Sequence, residues 1–339
     1  MLTPAPAQTA AFTFRRFRGQ ADYAAMAEIA RLCNLADRVP FIETVEDIAN
    51  TYAHLVNSDP QHDVIMAEVD GELVGYQRTW WRRHSDGEYV YGITGHVTPA
   101  WRRQGLGRQL LERGERRLRH VAQAAQHPAG APRYLQTFTS LNRAGKVALF
   151  EQAGYSVVRH FYEMERPLHD DLPPVSLPAG LALRPVQPEH LRAIWEANEE
   201  AFRDHWGHSA ATEADYQGFL AQPHQDHRLW QVAWDTANNQ VAGVAINIID
   251  AAVNAEFNRQ IAYVEDLSVR RAYRQRGLGR ALLVASLHAF QARGLATAGL
   301  GVDAENPSGA LGLYERVGFR QKEHSVAYRK AMALAEGTA

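Results

Sequence analysis

The chain has 339 residues, too many for one ordinary core and about right for two domains. Its net charge of −2 supplies no broad basic field, which argues against a nucleic-acid partner and against a polybasic membrane anchor. No apolar run reaches the ~18 residues of a spanning helix, and Cys33 is the sole cysteine, so a soluble cytoplasmic protein without internal disulfides is expected.

Residues 1–11 lack the basic-then-apolar order of a secretory signal and are expected to be a disordered lead-in. FTFRRFRGQADYAAMAEIARL, from residue 12, predicts a short strand and then an amphipathic helix. Cys33 follows in the apolar stretch IARLCNLA and is expected to be buried as a small hydrophobe. DVIMAEVDGELVGYQRTWW predicts a hairpin with its tight turn at Asp70-Gly71. YVYGITGHVTPAWRRQGLGRQLLERGERRLRHV predicts a strand, a glycine loop and a long helix. YLQTFTSLNRAGKVALFEQAGYSVV then predicts a strand, a helix and a closing strand. Pro167, Pro173, Pro174 and Pro178 deny residues 167–180 a helix or central strand, so these read as a linker.

The order then repeats. LALRPVQPEHLRAIWEANEEAF predicts strand and helix, and RLWQVAWDTANNQVAGVAINII a hairpin turning near Asn238-Asn239. IAYVEDLSVRRAYRQRGLGRALLVASLHAFQARG predicts strand, glycine loop and helix, and TAGLGVDAENPSGALGLYERVGFRQK the closing motif. The expected fold is α+β: two tandem domains, 12–166 and 181–335, each a mixed, mostly antiparallel sheet flanked by helices.

The loops RRQGLGR (102–108) and RQRGLGR (274–280) each sit between a strand and a helix start. Free N–H groups and the helix dipole make that place suitable for phosphate. Gly277 and Gly279 let the backbone approach an anion, and Arg274, Arg276 and Arg280 add charge. A Walker loop needs Lys then Ser/Thr after its last glycine, and a dinucleotide fingerprint needs a third glycine where Leu282 stands, so both are excluded.

Arg-x-x-Gly-x-Gly between strand and helix resembles the acetyl-CoA pyrophosphate loop of the GCN5-related N-acetyltransferase (GNAT) superfamily. The match falls on Arg274, Gly277 and Gly279, and again on Arg102, Gly105 and Gly107. AENPSGALGLYERVGF resembles the family's closing motif, and mycothiol synthase shares the two-domain plan. The resemblance implies acetyl-CoA as cosubstrate in a cleft where the sheet splays. In the second repeat it assigns the cofactor to Leu267, Ser268, Val269, Arg274, Gln275, Arg276, Gly277, Leu278, Gly279, Arg280 and Asn306. A second acyl-CoA site would use Val97, Arg102, Arg103, Gln104, Gly105, Leu106, Gly107 and Arg108.

Acetyl transfer needs a base for the amine, a donor to the oxyanion and an acid for the thiolate. By resemblance Tyr314 is the acid. Glu265 and Asp266 match a Glu-Asp pair of polyamine acetyltransferases, with Glu265 as base and Asp266 for substrate. Strand alternation puts these two on opposite faces. The first repeat has Ile93, Thr94 and Phe150 at these places and reads as catalytically retired. Asp204 and His205, after the first helix of the second repeat, are candidate substrate contacts, while the PHQDH stretch (223–227) lacks a third spaced metal ligand. No metal is expected. The reading is an acetyl-CoA-dependent N-acetyltransferase of a small-molecule primary amine, monomeric or homodimeric. The alternatives are acetylation of a cysteinyl aminosugar and a non-catalytic acyl-CoA sensor.

Overall fold

The computed structural model describes residues 11–125, 127–128, 130–169, 171–306 and 308–333. The expected lead-in, except Ala11, lies outside the described residues, as do residues 334–335 of the second expected domain. The chain divides into two compact units: unit 1 is residues 1–156 with 328–339, and unit 2 is residues 157–327.

Unit 1 opens with β1 (Thr13–Arg16), α1 (Tyr23–Asp37), α2 (Val45–Ala53) and α3 (Pro60–Asp63). The hairpin β2 (Val64–Val69) and β3 (Glu72–Arg83) follows, then β4 (Tyr89–Val97), α4 (Leu106–Ala124), β5 (Arg133–Ser140) and α5 (Ala144–Gln152). Met26, Ile29, Ala30 and Cys33 recur at helical spacing along α1 and are its buried face. Thr44 caps α2 in a reciprocal box with Asp47. Asp70 and Gly71 both have positive φ, 52° and 84°, the backbone that a two-residue hairpin turn demands. The strands run β1-β2-β3-β4-β5, antiparallel except for the parallel pair β4 and β5.

Unit 2 contains β6 (Ser156–Pro167, entering at Val157), β7 (Leu181–Leu183), α6 (Leu191–Phe202), α7 (Glu213–Leu220), β8 (Gln231–Asp235) and β9 (Gln240–Ile248). It continues with α8 (Ala251–Glu256), β10 (Ile261–Val269), α9 (Leu278–Gln291), β11 (Thr297–Asp303), α10 (Ala310–Arg316) and most of β12 (Arg320–Ala331). The strand order is β6-β11-β10-β9-β8-β7, and only β10 and β11 are parallel. Leu278, Leu282, Leu283, Leu287 and Phe290 of α9 pack on one face with Ala242, Ala245, Ala262 and Val264. Ile194 and Ala197 of α6 pack on the other face with Val244 and Ile246. Each unit is thus the expected α+β plan.

The compact units and the sequence repeats differ by one strand at each end. β6 closes the first repeat, yet it pairs with β11 from Thr297↔Pro167 to Asp303↔Phe161, and Met164 and Leu168 enter the core of unit 2. The end of β12 belongs to unit 1, where Met332 N–H bonds Arg133 O at 2.9 Å and Arg329 Nε bonds Gln136 at 2.8 Å. The proline-rich stretch is not a free tether: Leu172 and Leu177 pack on the unit 2 core, and His288 Nε2 lies 2.9 Å from Pro173 O. Among the described residues no helix is long and apolar enough to cross a membrane.

Candidate active site

The site begins where two parallel strands part. β10 pairs with β11 only from Ile261↔Thr297 to Val264↔Leu300; beyond Val264 it pairs with β9 alone. In unit 1, β4 pairs with β5 only as far as Gly92↔Gln136. Gly92 and Val264 hold the same place in the two repeats.

A bulge marks the parting in unit 2 and corrects one expectation. Val264 faces Asn247 and Asp266 faces Ile246, so Glu265 is the extra residue and strict alternation stops there. Asp266 therefore falls on the α6 face beside Ile246 instead of opposite Glu265, and Asn198 Nδ2 of α6 donates to its Oδ2 at 2.8 Å. Burial raises the Asp266 carboxyl above its ordinary range despite that hydrogen bond.

Water reaches the Glu265 carboxylate, but protein surrounds it on most sides, and burial followed by Asp266 pushes its pKa up. Across the sheet, Val264 neighbours Leu300 and Gly301 faces Glu163 on β6. Gly301 leaves room for the Glu163 carboxyl, which feels the charge of Glu265. Burial first, then Glu265, Glu323 and Glu165, raise Glu163 to about 7. Glu165 is committed to Arg259 at 2.5 Å, and Asp303 to Arg159 at 2.8 Å.

Tyr314 reaches the parting from the other face, within the α9 core and 7% exposed. Its hydroxyl makes no hydrogen bond among the described residues, and burial followed by Asp266 pushes it up to about 12. It keeps its proton at neutral pH. In unit 1, Phe150 is buried at the matching place.

The glycine loops have one geometry twice. Gln275 and Gly277 have φ of 60° and 86°, and Arg103 and Gly105 have 63° and 87°. Gly277 and Gly105 are left-handed N-caps without a side-chain cap. The first bond inside α9 runs from Ala281 N–H to Gly277 O, 3.1 Å, leaving the N–H groups of Leu278, Gly279 and Arg280 without a helical acceptor. In α4 the first such bond is Gln109 N–H to Gly105 O, also 3.1 Å, which leaves those of Leu106, Gly107 and Arg108. Arg276, Arg280 and Arg103 are exposed, whereas Arg108 is paired with Glu112 at 2.7 Å.

The first arginine of each loop has a different task from the one expected. Arg274 bonds Val269 O at 3.0 Å, Asp204 at 2.8 Å and Ala201 O at 2.8 Å. Arg102 likewise bonds Val97 O at 3.1 Å and both oxygens of Asp37. Both side chains are consumed in fastening the loop to its strand and first helix. Asp204 is drawn into the same clamp, also taking Arg271 at 2.6 Å, so its carboxylate is engaged by two arginines. His205 packs its ring on Phe202, and burial holds its pKa down. Asn306 turns its Oδ1 to the Ser308 N–H at 2.9 Å, and Gln104 bonds Ala100 O at 3.1 Å. Leu267 and Val269 pack against the core, and the Ser268 Oγ is buried without a partner.

Sequence reasoning missed Asn198 and Glu163. Asn198 lies on an amphipathic helix with nothing local to mark it. Glu163 precedes the proline stretch, in a strand that spacing assigns to the other repeat, and only strand pairing brings it to Glu265.

Strands that part beside an uncapped helix start, found in both units, define an acyltransferase architecture. The sequence profile of the acetyltransferase (GNAT) family matches residues 24–155 and 191–319. The chain belongs to that family and is a tandem acetyltransferase. It is 29% identical over 274 residues to the mycothiol acetyltransferase of Salinispora arenicola, covering 80% of this chain and 82% of that protein. A GCN5-related N-acetyltransferase of Sphaerobacter thermophilus superposes with a TM-score of 0.69 at 28% identity, covering 94% of this chain and 95% of that one. The tandem GNAT protein from the clavulanic acid biosynthesis pathway gives a TM-score of 0.66 at 16% identity, covering 96% and 100%, and shows the fold alone. Enzymes of this family use acetyl-CoA as cosubstrate. The free N–H groups at Leu278, Gly279 and Arg280 fit its pyrophosphate.

Proposed function

We propose that unit 2 acetylates the primary amine of a small molecule, with acetyl-CoA supplying the acyl group. One observation carries this reading: at the parting of β10 and β11, the bulge at Glu265 puts Asp266 next to it in the chain, and the charge of Asp266 acts on both Glu265 and the buried Tyr314. Glu265, open to water and raised by its surroundings, takes the proton of the incoming ammonium. Glu163 adds negative charge that favours a cationic acceptor.

The Tyr314 hydroxyl serves the leaving thiolate. A thiol has a pKa of about 8.5, well below that of Tyr314, so full transfer of this proton is uphill by several kcal/mol. Tyr314 therefore acts chiefly as a hydrogen-bond donor to the developing charge. The strand beyond the bulge offers backbone N–H groups for the oxyanion. Arg274 and Asp204 contribute by holding the loop, not by contact with reactants.

The likeness to mycothiol acetyltransferases supports acetyl transfer and makes a cysteinyl aminosugar one acceptor to test. The test is CoA release against a panel of mono- and diamines, aminoglycosides and cysteinyl glycosides. Turnover with at least one amine, lost in Glu265→Gln, is the expected result. A panel without turnover, despite tight acetyl-CoA binding, would make the chain a sensor.

A further inference from the structure

Unit 1 keeps the cradle but lines its parting with cations. Lys146, on α5, sends Nζ to Gly95 O at 2.9 Å, on the part of β4 that β5 has left. It has no ion pair among the described residues. Burial first, then Arg143, pull its pKa down to about 8. The titratable groups acting on it are Arg143, Cys33, Asp37 and Arg102. His96, next on β4, is held well below its ordinary value by burial and then by Lys146, Arg143 and Arg102, and its Nδ1 is buried without a partner. Asp37 is the one carboxylate in the group, and it already serves two arginines, Arg102 at 2.5 Å and Arg143 at 3.5 Å. Arginine supplies nearly all the positive charge of this chain; its lysines are Lys146, Lys322 and Lys330. One of these compact point charges stands where unit 2 has Ala310.

A cation surrounded by cations, half shielded from water, lacks a counter-charge. A neutral acetyl thioester cannot supply one. We propose that unit 1 is a site for a CoA arm ending in an anion, either the thiolate of free CoA or the distal carboxylate of a dicarboxylic acyl-CoA, with Lys146 as the counter-charge. The arm's phosphates fall to the free N–H groups of Leu106, Gly107 and Arg108. This rests on the family reading of unit 1 and not on which acceptor unit 2 takes.

The test uses the full chain with Gly277→Val, which disables the loop of unit 2, and titrates it calorimetrically with CoA, acetyl-CoA and succinyl-CoA. The expected result is that CoA, succinyl-CoA or both bind about tenfold or more tightly than acetyl-CoA, the scale of one charge-assisted hydrogen bond. A preference for CoA alone identifies a thiolate site, and one for succinyl-CoA alone a carboxylate site. Lys146→Met should erase the preference, and Lys146→Arg should keep part of it. Circular dichroism of each variant checks the fold. With only three lysines to assign, NMR of the Lys146 ammonium adds a reading independent of affinity: its pKa should rise when the anionic ligand binds and stay put with acetyl-CoA. Equal affinity for acetyl-CoA, binding of none of the three, or a preference that survives Lys146→Met would overturn the proposal. Acetyl-Lys146 found by mass spectrometry would overturn it too, making the residue an acceptor. CoA release by wild-type chain is measured separately, so failure here leaves the activity of unit 2 distinguishable.

Discussion

Units 1 and 2 part their sheets at matching residues, Gly92 and Val264, and then put opposite charge at the opening. Unit 2 presents Glu163, Glu265 and Asp266, while unit 1 presents Lys146 with Arg143 and Arg102 close by. The cradles beside these openings have φ values within a few degrees of each other. A cradle made of backbone N–H groups needs only a left-handed glycine and a helix start, so it survives wholesale change of side chains. The chemistry at the opening is made of side chains, and a handful of substitutions inverts it.

The largest expected effect tests whether chemistry resides in unit 2 alone. Tyr314→Phe keeps the ring in the core and deletes the donor. Turnover should fall by about 10²–10³, the usual cost of deleting one preorganised donor to developing charge, with acetyl-CoA affinity within a few-fold. Single-turnover measurements with saturating acetyl-CoA check this. The mirror change, Phe150→Tyr, should add no activity, since unit 1 has Ile93 and Thr94 in place of the carboxylates. Unchanged turnover in Tyr314→Phe would reduce that residue to packing.

The next effect separates the cradles. A side chain at Gly277, where φ is 86°, forces an L-residue into the left-handed region at a cost of about 1–2 kcal/mol, and its bulk stands where the phosphate approaches. Gly277→Val should lower kcat/KM about a hundredfold, chiefly through acetyl-CoA. Gly105→Val, with the same strain, should cost the reaction less than about tenfold. Equal losses would mean that both cradles serve turnover.

The fold was legible because it rests on local patterns. The Asp70-Gly71 turn, the apolar spacing of α1 and the two loops are each written in a few adjacent residues. Glu265, Tyr314 and the loop glycines became candidates because the short motifs that hold them resemble those of the family. Three things were not legible. The bulge at Glu265 depends on register against β9, which no residue announces. Arg274 and Asp204 are 70 residues apart, so their union was invisible, and each looked free for a ligand. Glu163 reaches the site because β6 pairs with β11, and sequence order points the other way.

A smaller effect distinguishes a clamp from a phosphate contact. Asp204→Asn removes the charge that fixes Arg274 and Arg271 but frees both arginines. If Arg274 acted on phosphate, acetyl-CoA affinity would rise or hold. As a clamp, its loss loosens the loop, and affinity should weaken about two- to fivefold, the scale of an exposed ion pair, with kcat little changed. Calorimetry at two salt concentrations reads this directly.

The smallest effect concerns Glu163→Gln and is seen in pH dependence. In the folded chain Glu163 titrates at about 7 instead of its ordinary 4.5. A carboxyl raised on folding binds its proton more tightly in the native state. Its contribution to stability is therefore full below about 4.5 and is lost as pH climbs through 7. Glutamine, neutral and of the same shape, escapes that loss. The variant should match wild type near pH 4.5 and melt higher at pH 8. Solvent reaches the carboxylate, so the gain is at most about 1 kcal/mol, or about 2–4 °C in Tm. Activity should report the same group in the opposite sense. With Glu163 gone, Glu265 loses a like-charged neighbour and ionises more easily, so the acid limb of kcat/KM moves to lower pH. A cationic acceptor loses a counter-charge, so KM rises while kcat holds. Unit 1 supplies the control, since Lys146→Met replaces a group depressed from 10.5 to about 8, and the strain it relieves is full below 8 and fades as pH climbs towards 10.5. If the gain in Glu163→Gln shrinks as pH rises from 4.5 to 7, or the gain in Lys146→Met grows as pH rises from 8, the opposite charge of the two openings is wrong.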